Sequence, residues 1–170
     1  AFRKFEGVPG RMEVIQEGPF RVIVDYAHTP GSLEKVYKAV KPKAPQRLIC
    51  VLGSAGGGRD TWKRARFGEI ASRYCETILI TNEDPYDEMP RAIMDEIASG
   101  CVQDSKKKYN LQVIEDRGVA IKAAFRNAKN GDTVIVTGKG NERWIHVAGG
   151  QKISWNDRVA VEEALSRTEN

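Results

Sequence analysis

The sequence predicts an α/β domain of three layers, a mostly parallel central sheet with helices on both faces and antiparallel hairpin strands added to it. Two observations carry this. Strand-like and helix-like segments alternate along nearly the whole chain, the pattern of strands joined by crossover helices. Arg47 to Leu52 and Thr133 to Thr137 are short, almost continuously apolar runs. A strand buried on both faces reads this way.

Taken in order, Met12 to Gln16 and Arg21 to Asp25 are β-rich runs separated by Glu17-Gly18-Pro19, so they form a hairpin. Thr29 offers a hydroxyl N-cap and Pro30 fills the first helical position. Leu33, Val36, Tyr37 and Val40 then give one apolar helical face, and Pro42 ends the helix. After the Arg47–Leu52 strand comes a glycine-rich loop, Gly53 to Gly58, and a helix from Thr61 to Tyr74 with Ala65, Ile70 and Ala71 inward. Thr77 to Thr81 is the next strand, Asn82 to Pro90 a polar loop, and Arg91 to Ala98 a helix closed by Gly100. Gln103 to Asn110 is charged and expected to be exposed, and Leu111 to Ile114 is a strand. Asp116 caps a helix running through Ala128, and Gly131 stops it. The Thr133–Thr137 strand leads into Gly138-Lys139-Gly140-Asn141-Glu142. Trp144 to Val147 and Gln151 to Ile153 pair as a terminal hairpin about Gly149-Gly150, and Asn156 or Asp157 caps a last helix to Leu165.

A chain of 170 residues is long enough for one domain with its own core and too short for two. Its 41% hydrophobic and 29% charged residues are ordinary for a globular protein. No apolar run approaches the roughly 18–20 residues of a membrane span, and no signal peptide opens the chain. The start at Ala1 reads as a fragment or a processed end. The three cysteines, Cys50, Cys75 and Cys101, are scattered without C-x-x-C spacing, which leads to an expectation of buried free thiols in a reducing cytoplasm. The net charge of +4 suits anionic small molecules. Nucleic acid would need a denser basic stripe with interleaved aromatics.

In an open parallel sheet, ligands gather at the carboxyl ends of the strands. Four polar segments fall there: Asp25 to Pro30, Gly53 to Asp60, Asn82 to Glu88 and Gly138 to Glu142. The glycine loop lets main chain approach a ligand and runs into a helix N-terminus, with Arg59, Lys63, Arg64 and Arg66 adding positive charge. A carboxylate or phosphate is its natural partner. The competing reading is a flexible connection followed by a solvated basic face. The chain has no G-x-x-x-x-G-K-[ST] and no G-x-G-x-x-G, so it carries no nucleotide-phosphate cradle of its own. Asp25 and His28 share a strand-to-helix turn, but hydrolytic chemistry would need a nucleophile, for which only Ser32 and Ser54 are candidates. His146 reads as structural. Trp62, Trp144 and Trp155 read as core or rim. Tyr86, inside the Asn82–Glu88 loop, is placed to touch a ligand.

These segments, in this order, resemble the Mur ligase family, and within it the branch that adds the third residue of the peptidoglycan stem peptide. Pro9-Gly10-Arg11-Met12-Glu13 resembles the family's P-G-R-M-E. Val24 to Pro30 (V-D-Y-A-H-T-P) with Leu33-Glu34 resembles its first strand-to-helix signature. Gly56 to Asp60 with Lys63-Arg64 resembles G-G-D-R-D-x-x-K-R, and Thr81 to Pro85 resembles T-x-D-N-P. Gly138 to Glu142 resembles G-K-G-H-E, and Asp157-Arg158 resembles the D-D-R or S-D-R close. The resemblance implies a Rossmann-like C-terminal domain over residues 11–170, with residues 1–10 the tail of an interdomain linker. It also implies a cytoplasmic ligase in which an upstream central ATPase domain binds ATP and Mg2+. There the carboxylate of UDP-N-acetylmuramoyl-dipeptide becomes an acyl phosphate that a diamino acid, lysine or diaminopimelate, attacks.

By the same resemblance, Arg11, Asp25 and His28 face the nucleotide. Arg59 binds the carboxylate of the incoming amino acid. Gly138 and Glu142 hold its distal end, and Asp84 and Tyr86 line the same pocket. This sequence departs from the family at Glu83-Asp84-Pro85-Tyr86, where diaminopimelate enzymes read D-N-P-R. The arginine for the distal carboxylate is Tyr86, and losing a bidentate charge pair weakens such a grip. The acids Glu83, Asp84, Asp87 and Glu88 would favour a cationic side chain, so lysine is one expectation. The glycine loop has one extra residue and no acid before Arg59, and Asn141 replaces the histidine of G-K-G-H-E. Two other readings stand: a binding module for amino acid or nucleotide without chemistry, and the matching domain of a folylpolyglutamate or cyanophycin-type ligase. V-D-Y-A-H-T-P together with G-K-G-N-E favours the Mur branch.

Overall fold

The structure, a computed structural model, describes residues 8–58, 60–101 and 108–166. Its strands are β1 (Glu13–Gln16), β2 (Arg21–Asp25), β3 (Leu48–Leu52), β4 (Thr77–Ile80), β5 (Asn110–Val113), β6 (Thr133–Thr137), β7 (Trp144–Val147) and β8 (Gln151–Ser154). Its helices are α1 (Pro30–Val40), α2 (Trp62–Tyr74), α3 (Pro90–Ser99), α4 (Arg117–Asn127) and α5 (Asp157–Ser166). Six strands form one sheet in the order β1-β2-β6-β3-β4-β5, while β7 and β8 form a separate hairpin. Only β1 runs antiparallel in the large sheet, through its hairpin with β2.

Side-chain alternation along the strands divides the core. Ile23, Leu48, Cys50, Leu52, Ile78, Ile80 and Ile135 pack under α1, α2 and α3. Val22, Val24, Ile49, Val51, Leu79, Val134 and Val136 pack under α4 and α5. Strands covered on both faces favour apolar residues at successive positions, which is why β3 is continuously apolar and β6 is apolar between its terminal threonines. The chain steps outward from β3 to β4 and β5, then returns through α4 to insert β6 between β2 and β3. The loops leaving β3 and β6 therefore diverge to opposite faces and open a crevice at their carboxyl ends, the position where α/β sheets bind ligands.

The helix starts follow local chemistry. Thr29 and Ser32 form a reciprocal capping box with Pro30 in the first turn. Asp116 accepts from the Val119 N–H at 2.8 Å to open α4, and Asn156 accepts from Val159 at 3.1 Å to cap α5. That frees Asp157, the other candidate cap, for a buried role.

Three expectations change. Ala65 is exposed, and Arg64, Phe67 and Gly68 take the buried face of α2 with Ile70 and Ala71. The small Gly68 lets α2 approach α3 closely, because a Cβ there would meet the Ile97 carbonyl oxygen. Cys50 and Cys75 are joined by a disulfide rather than held as thiols, leaving Cys101 free. Cys50 points from β3 into the layer covered by α2, and Cys75 immediately follows that helix, so the fold brings together cysteines 25 residues apart. Asn110 begins a strand. Residues 103–107 of the expected charged stretch, and residues 1–7 of the expected linker tail, lie outside the described residues.

Candidate functional site

Main chain and side chains join the four polar segments along one rim. The Gly138 N–H donates to the Asp25 carbonyl at 3.1 Å, tying the end of β6 to the end of β2. The Gly56 N–H donates to the Asp84 carbonyl at 2.7 Å, tying the glycine loop to the segment after β4. Lys139, 0% exposed, places its ammonium 2.7 Å from Asp84 and 2.7 Å from Glu142. Burial alone would lower the pKa of Lys139, but the hydrogen bonds and charges of these two carboxylates outweigh it and raise it.

At the β2 end, both carboxylate oxygens of buried Asp25 accept main-chain N–H groups, from Met12 and Ala27, each at 2.7 Å. The acid thereby fixes the Arg11–Met12 turn against the exit of β2. The Arg11 guanidinium lies 5.3 Å from the centre of the Tyr26 ring, and Tyr26 lies 4.6 Å from the His28 ring. Arg11, Asp25 and His28 are thus grouped, with Tyr26 between them as an unexpected fourth member. Tyr26 also donates to Glu142 at 3.3 Å, linking this group to the Gly138–Glu142 loop. Burial, followed by the charge of Glu142, raises the Tyr26 pKa.

Glu83 occupies the crevice itself. A Cβ added to Gly53, at the end of β3, would lie 2.9 Å from the Glu83 Cβ. One added to Gly138, whose φ of +112° already favours glycine, would lie 2.2 Å from a Glu83 carboxylate oxygen. Two glycines at the switch point therefore make room for one buried carboxyl. Burial pushes its pKa up to about 7 against the pull of Arg117 and Lys139. Beside it, Arg117 grips Asp157 with two hydrogen bonds of 2.8 and 2.7 Å and donates to the Thr137 and Asn82 carbonyls. This buried pair pins the ends of β4 and β6 to α5.

The second part of the rim is a cavity of ≈ 380 Å³ lined by Ala55, Gly56, Gly57, Asp60, Lys63, Tyr86 and Asp87. Arg59, the expected carboxylate ligand, lies outside the described residues, but its neighbour Asp60 lines this cavity. Tyr86 stacks on His146 with ring centres 5.2 Å apart, and its N–H donates to the His146 carbonyl. These contacts mount the β7–β8 hairpin beside the cavity. Of the tryptophans, Trp155 packs in the core and donates to Asp157, whereas Trp62 and Trp144 are exposed.

The acids of the Asn82–Glu88 loop are not a free anionic row. One Asp84 oxygen accepts from Lys139 and the other from the His146 N–H at 2.8 Å. Asp87 accepts from the Gly149 N–H. Glu88 accepts from Gly58 and pairs with Arg64. Sequence reasoning read Glu83 as one of a row of acids and Arg64 as one of a row of basic residues, and it singled out neither Lys139 nor Arg117; all four are buried. The available signals were charged residues in the loops that follow apolar strands, and an arginine directly after the Asp116 cap. Among the described residues, no group of three or more His, Cys, Asp or Glu side chains is arranged to hold a metal ion, and no helix is long and apolar enough to cross a membrane.

Comparison with known proteins adds the following. The family model described as Mur ligase, glutamate ligase domain, matches residues 10–140. UDP-N-acetylmuramoyl-L-alanyl-D-glutamate–2,6-diaminopimelate ligase of Trichormus variabilis is 42% identical over 99% of the chain and 34% of its own length. UDP-N-acetylmuramyl-tripeptide synthetase of a Roseiflexus species is 43% identical over 98% of the chain and 33% of its own length. The chain thus spans about a third of the length of these curated relatives. A solved UDP-N-acetylmuramoyl-L-alanyl-D-glutamate–2,6-diaminopimelate ligase superposes with a TM-score of 0.85 at 32% identity, covering 98% of this chain and 33% of that one. The Escherichia coli FolC structure in complex with ADP, at 22% identity and a TM-score of 0.60 over 95% of this chain and 32% of that one, shares the fold.

Proposed function

The chain belongs to the Mur ligase family, and from that premise we propose that it is the acceptor-amino-acid domain of an ATP-dependent amide ligase acting on UDP-N-acetylmuramoyl-dipeptide in the cytoplasm. The observation that carries the reading is the linkage of Asp25, Glu83–Asp84, Gly56 and Gly138–Glu142 into one rim at the switch point of the sheet.

In this reaction a carboxylate oxygen of the dipeptide takes the γ-phosphoryl group of ATP, giving an acyl phosphate and ADP. The amine of the incoming amino acid attacks the acyl carbon through a tetrahedral intermediate. Phosphate leaves with the former carboxylate oxygen, the amine loses a proton, and an amide bond remains. ATP and Mg2+ belong mainly to a central domain upstream, in keeping with the absence of a P-loop from this sequence. This domain's share is placement. Holding an amine in line with its target supplies much of the barrier reduction in such reactions.

The residues divide that work. Arg11 and His28, packed against Tyr26 on the base fixed by Asp25, face the nucleotide. The cavity beside Tyr86 receives the amino acid, with Arg59 on its carboxylate. Gly138 and Glu142 meet its distal end, where the carboxylate of Glu142, 39% exposed, remains reachable while anchored by Lys139 and Tyr26. Asp84, with both oxygens engaged, shapes this wall by holding Lys139.

The amino acid is a diamino acid, and diaminopimelate is the first choice. The names of the relatives point there, and the pairing of Asp84 with Lys139 and of Glu88 with Arg64 weakens the charge argument for a cationic side chain. Lysine is the second reading, favoured by Tyr86 standing where an arginine would meet the distal carboxylate. The test is amide formation by the intact ligase from UDP-N-acetylmuramoyl-L-alanyl-D-glutamate and ATP with diaminopimelate, lysine or ornithine. Acceptor-dependent release of ADP and phosphate is expected, highest with diaminopimelate. ATP turnover indifferent to every amino acid would refute the assignment.

A further inference from the structure

Arg64 plays no part in the chemistry above, yet it is among the largest fully buried side chains of the protein, 1% exposed on a helix whose other arginines face solvent. Its guanidinium lies behind the cavity of the glycine loop without lining it. It makes ion pairs with Glu88 at 2.9 Å and Glu96 at 3.2 Å, and a long hydrogen bond to the Ala55 carbonyl at 3.4 Å. Glu88 in turn accepts the Gly58 N–H at 2.7 Å. One buried cation therefore reaches both walls of the cavity. It contacts the glycine loop directly through Ala55 and indirectly through Glu88 and Gly58, and it holds the Asn82–Glu88 segment through Glu88 itself.

We propose that Arg64 and Glu88 are positioning residues for the acceptor amino acid, their ion pair fixing the width of the cavity between the glycine loop and Tyr86. The inference rests on the acceptor-domain reading and names the device that gives its pocket a shape. Three further observations support it. The hydrogen bonds from Arg64 and then Gly58 hold the Glu88 carboxyl below its ordinary pKa, so both partners favour its charged form. The loop is otherwise glycine at three successive positions, Gly56 to Gly58, and such main chain has no preferred width of its own. Finally, Arg64 Nε is buried without a partner, so the guanidinium is committed to this placement at a desolvation cost that a solvent-facing arginine would escape. A planar guanidinium can bond Glu88 through both Nη atoms, which a lysine cannot reproduce.

The experiment compares wild-type intact ligase with Glu88→Ala, Glu88→Gln and Arg64→Lys, titrating acceptor amino acid, ATP and muramoyl-dipeptide separately. Glu88→Ala is expected to raise the acceptor KM about tenfold, the loss of about 1.4 kcal/mol of acceptor binding. kcat at saturating acceptor and the KM values of ATP and dipeptide should stay near wild type, the signature of lost acceptor binding. Glu88→Gln, which keeps an acceptor for Gly58 but loses the charge, should fall between. Amide hydrogen exchange across residues 56–58 should quicken in Glu88→Ala. If Arg64→Lys does not fold, the two Glu88 variants decide the matter, because Glu88 is partly exposed. An acceptor KM unchanged in Glu88→Ala, or equal losses toward all three substrates, overturns the proposal. A wild-type enzyme without acceptor-dependent amide formation instead overturns the reading on which it rests.

Discussion

The ammonium of Lys139 lies 2.7 Å from a carboxylate oxygen of Asp84, and both residues are buried. The contact joins the loop after β6 to the loop after β4 across the end of β3. It also fixes Glu142, which shares the same ammonium. Breaking a buried pair by removing one partner leaves an uncompensated charge and costs about 3–5 kcal/mol. Lys139→Met should therefore lower stability by about that amount, read from the midpoint of urea unfolding. Lys139→Met combined with Asp84→Asn should lose less than the sum of the single changes, because the second removes the stranded charge. Additive losses would show that the pair does not act as a unit.

Glu83 makes stability depend on pH. Its carboxyl rises from 4.5 to about 7 on folding. Between those values the folded chain keeps a proton that the unfolded chain has released, so stability declines as pH climbs through the window. Glu83→Gln has nothing to release there. The variant should melt above wild type at pH 8, and the two should converge toward pH 5. Parallel melting curves across that range would assign the pH dependence elsewhere.

The sheet was largely legible because its strands obey simple patterns. Val134 to Val136 are apolar in succession because both faces of β6 are covered, and Thr29-Pro30 announces a helix by hydrogen-bonding chemistry alone. The site was legible only as a set of segments. Arg64 reads as solvent-facing since its partners Glu88 and Glu96 lie 24 and 32 residues away. The same distance problem makes Glu83 to Glu88 look like a free acidic row, whereas Lys139, Arg64 and N–H groups near and within the hairpin neutralise or bond most of it. Local pattern encodes which face of an element is apolar. It does not encode which remote cation will fold back onto a given carboxylate.

The core disulfide predicts a thiol count. Cys50 and Cys75 are bonded and Cys101 is free, so protein unfolded without reductant should react with one equivalent of a thiol reagent, and reduced protein with three. Closing a loop of this size typically contributes about 3 kcal/mol. Cys75→Ser should accordingly lower the unfolding midpoint, and reductant should shift the wild type toward the variant. Three reactive thiols before reduction would return the cysteines to the free state expected from their spacing.

Tyr86 bears on which diamino acid is used. It occupies a left-handed backbone position, φ +51°, at the mouth of the cavity, with its ring against His146 and its N–H bonded to the His146 carbonyl. The main chain is held by that hydrogen bond and not by the ring, so a different side chain can be presented from the same place. Tyr86→Arg would project a guanidinium toward a pocket whose nearest charges are Asp60, Lys63 and Asp87. A carboxylate at the far end of the substrate would gain a bidentate partner, and an uncharged-carbon end bearing only an ammonium would gain a repulsive neighbour. The ratio of kcat/KM for diaminopimelate over lysine should therefore rise in Tyr86→Arg by about tenfold, the equivalent of a modest charge-assisted hydrogen bond. Competition assays with both amino acids present measure that ratio directly. A ratio unmoved by the substitution would place the distal end of the substrate away from Tyr86, and would leave Glu142 as the residue that reads it.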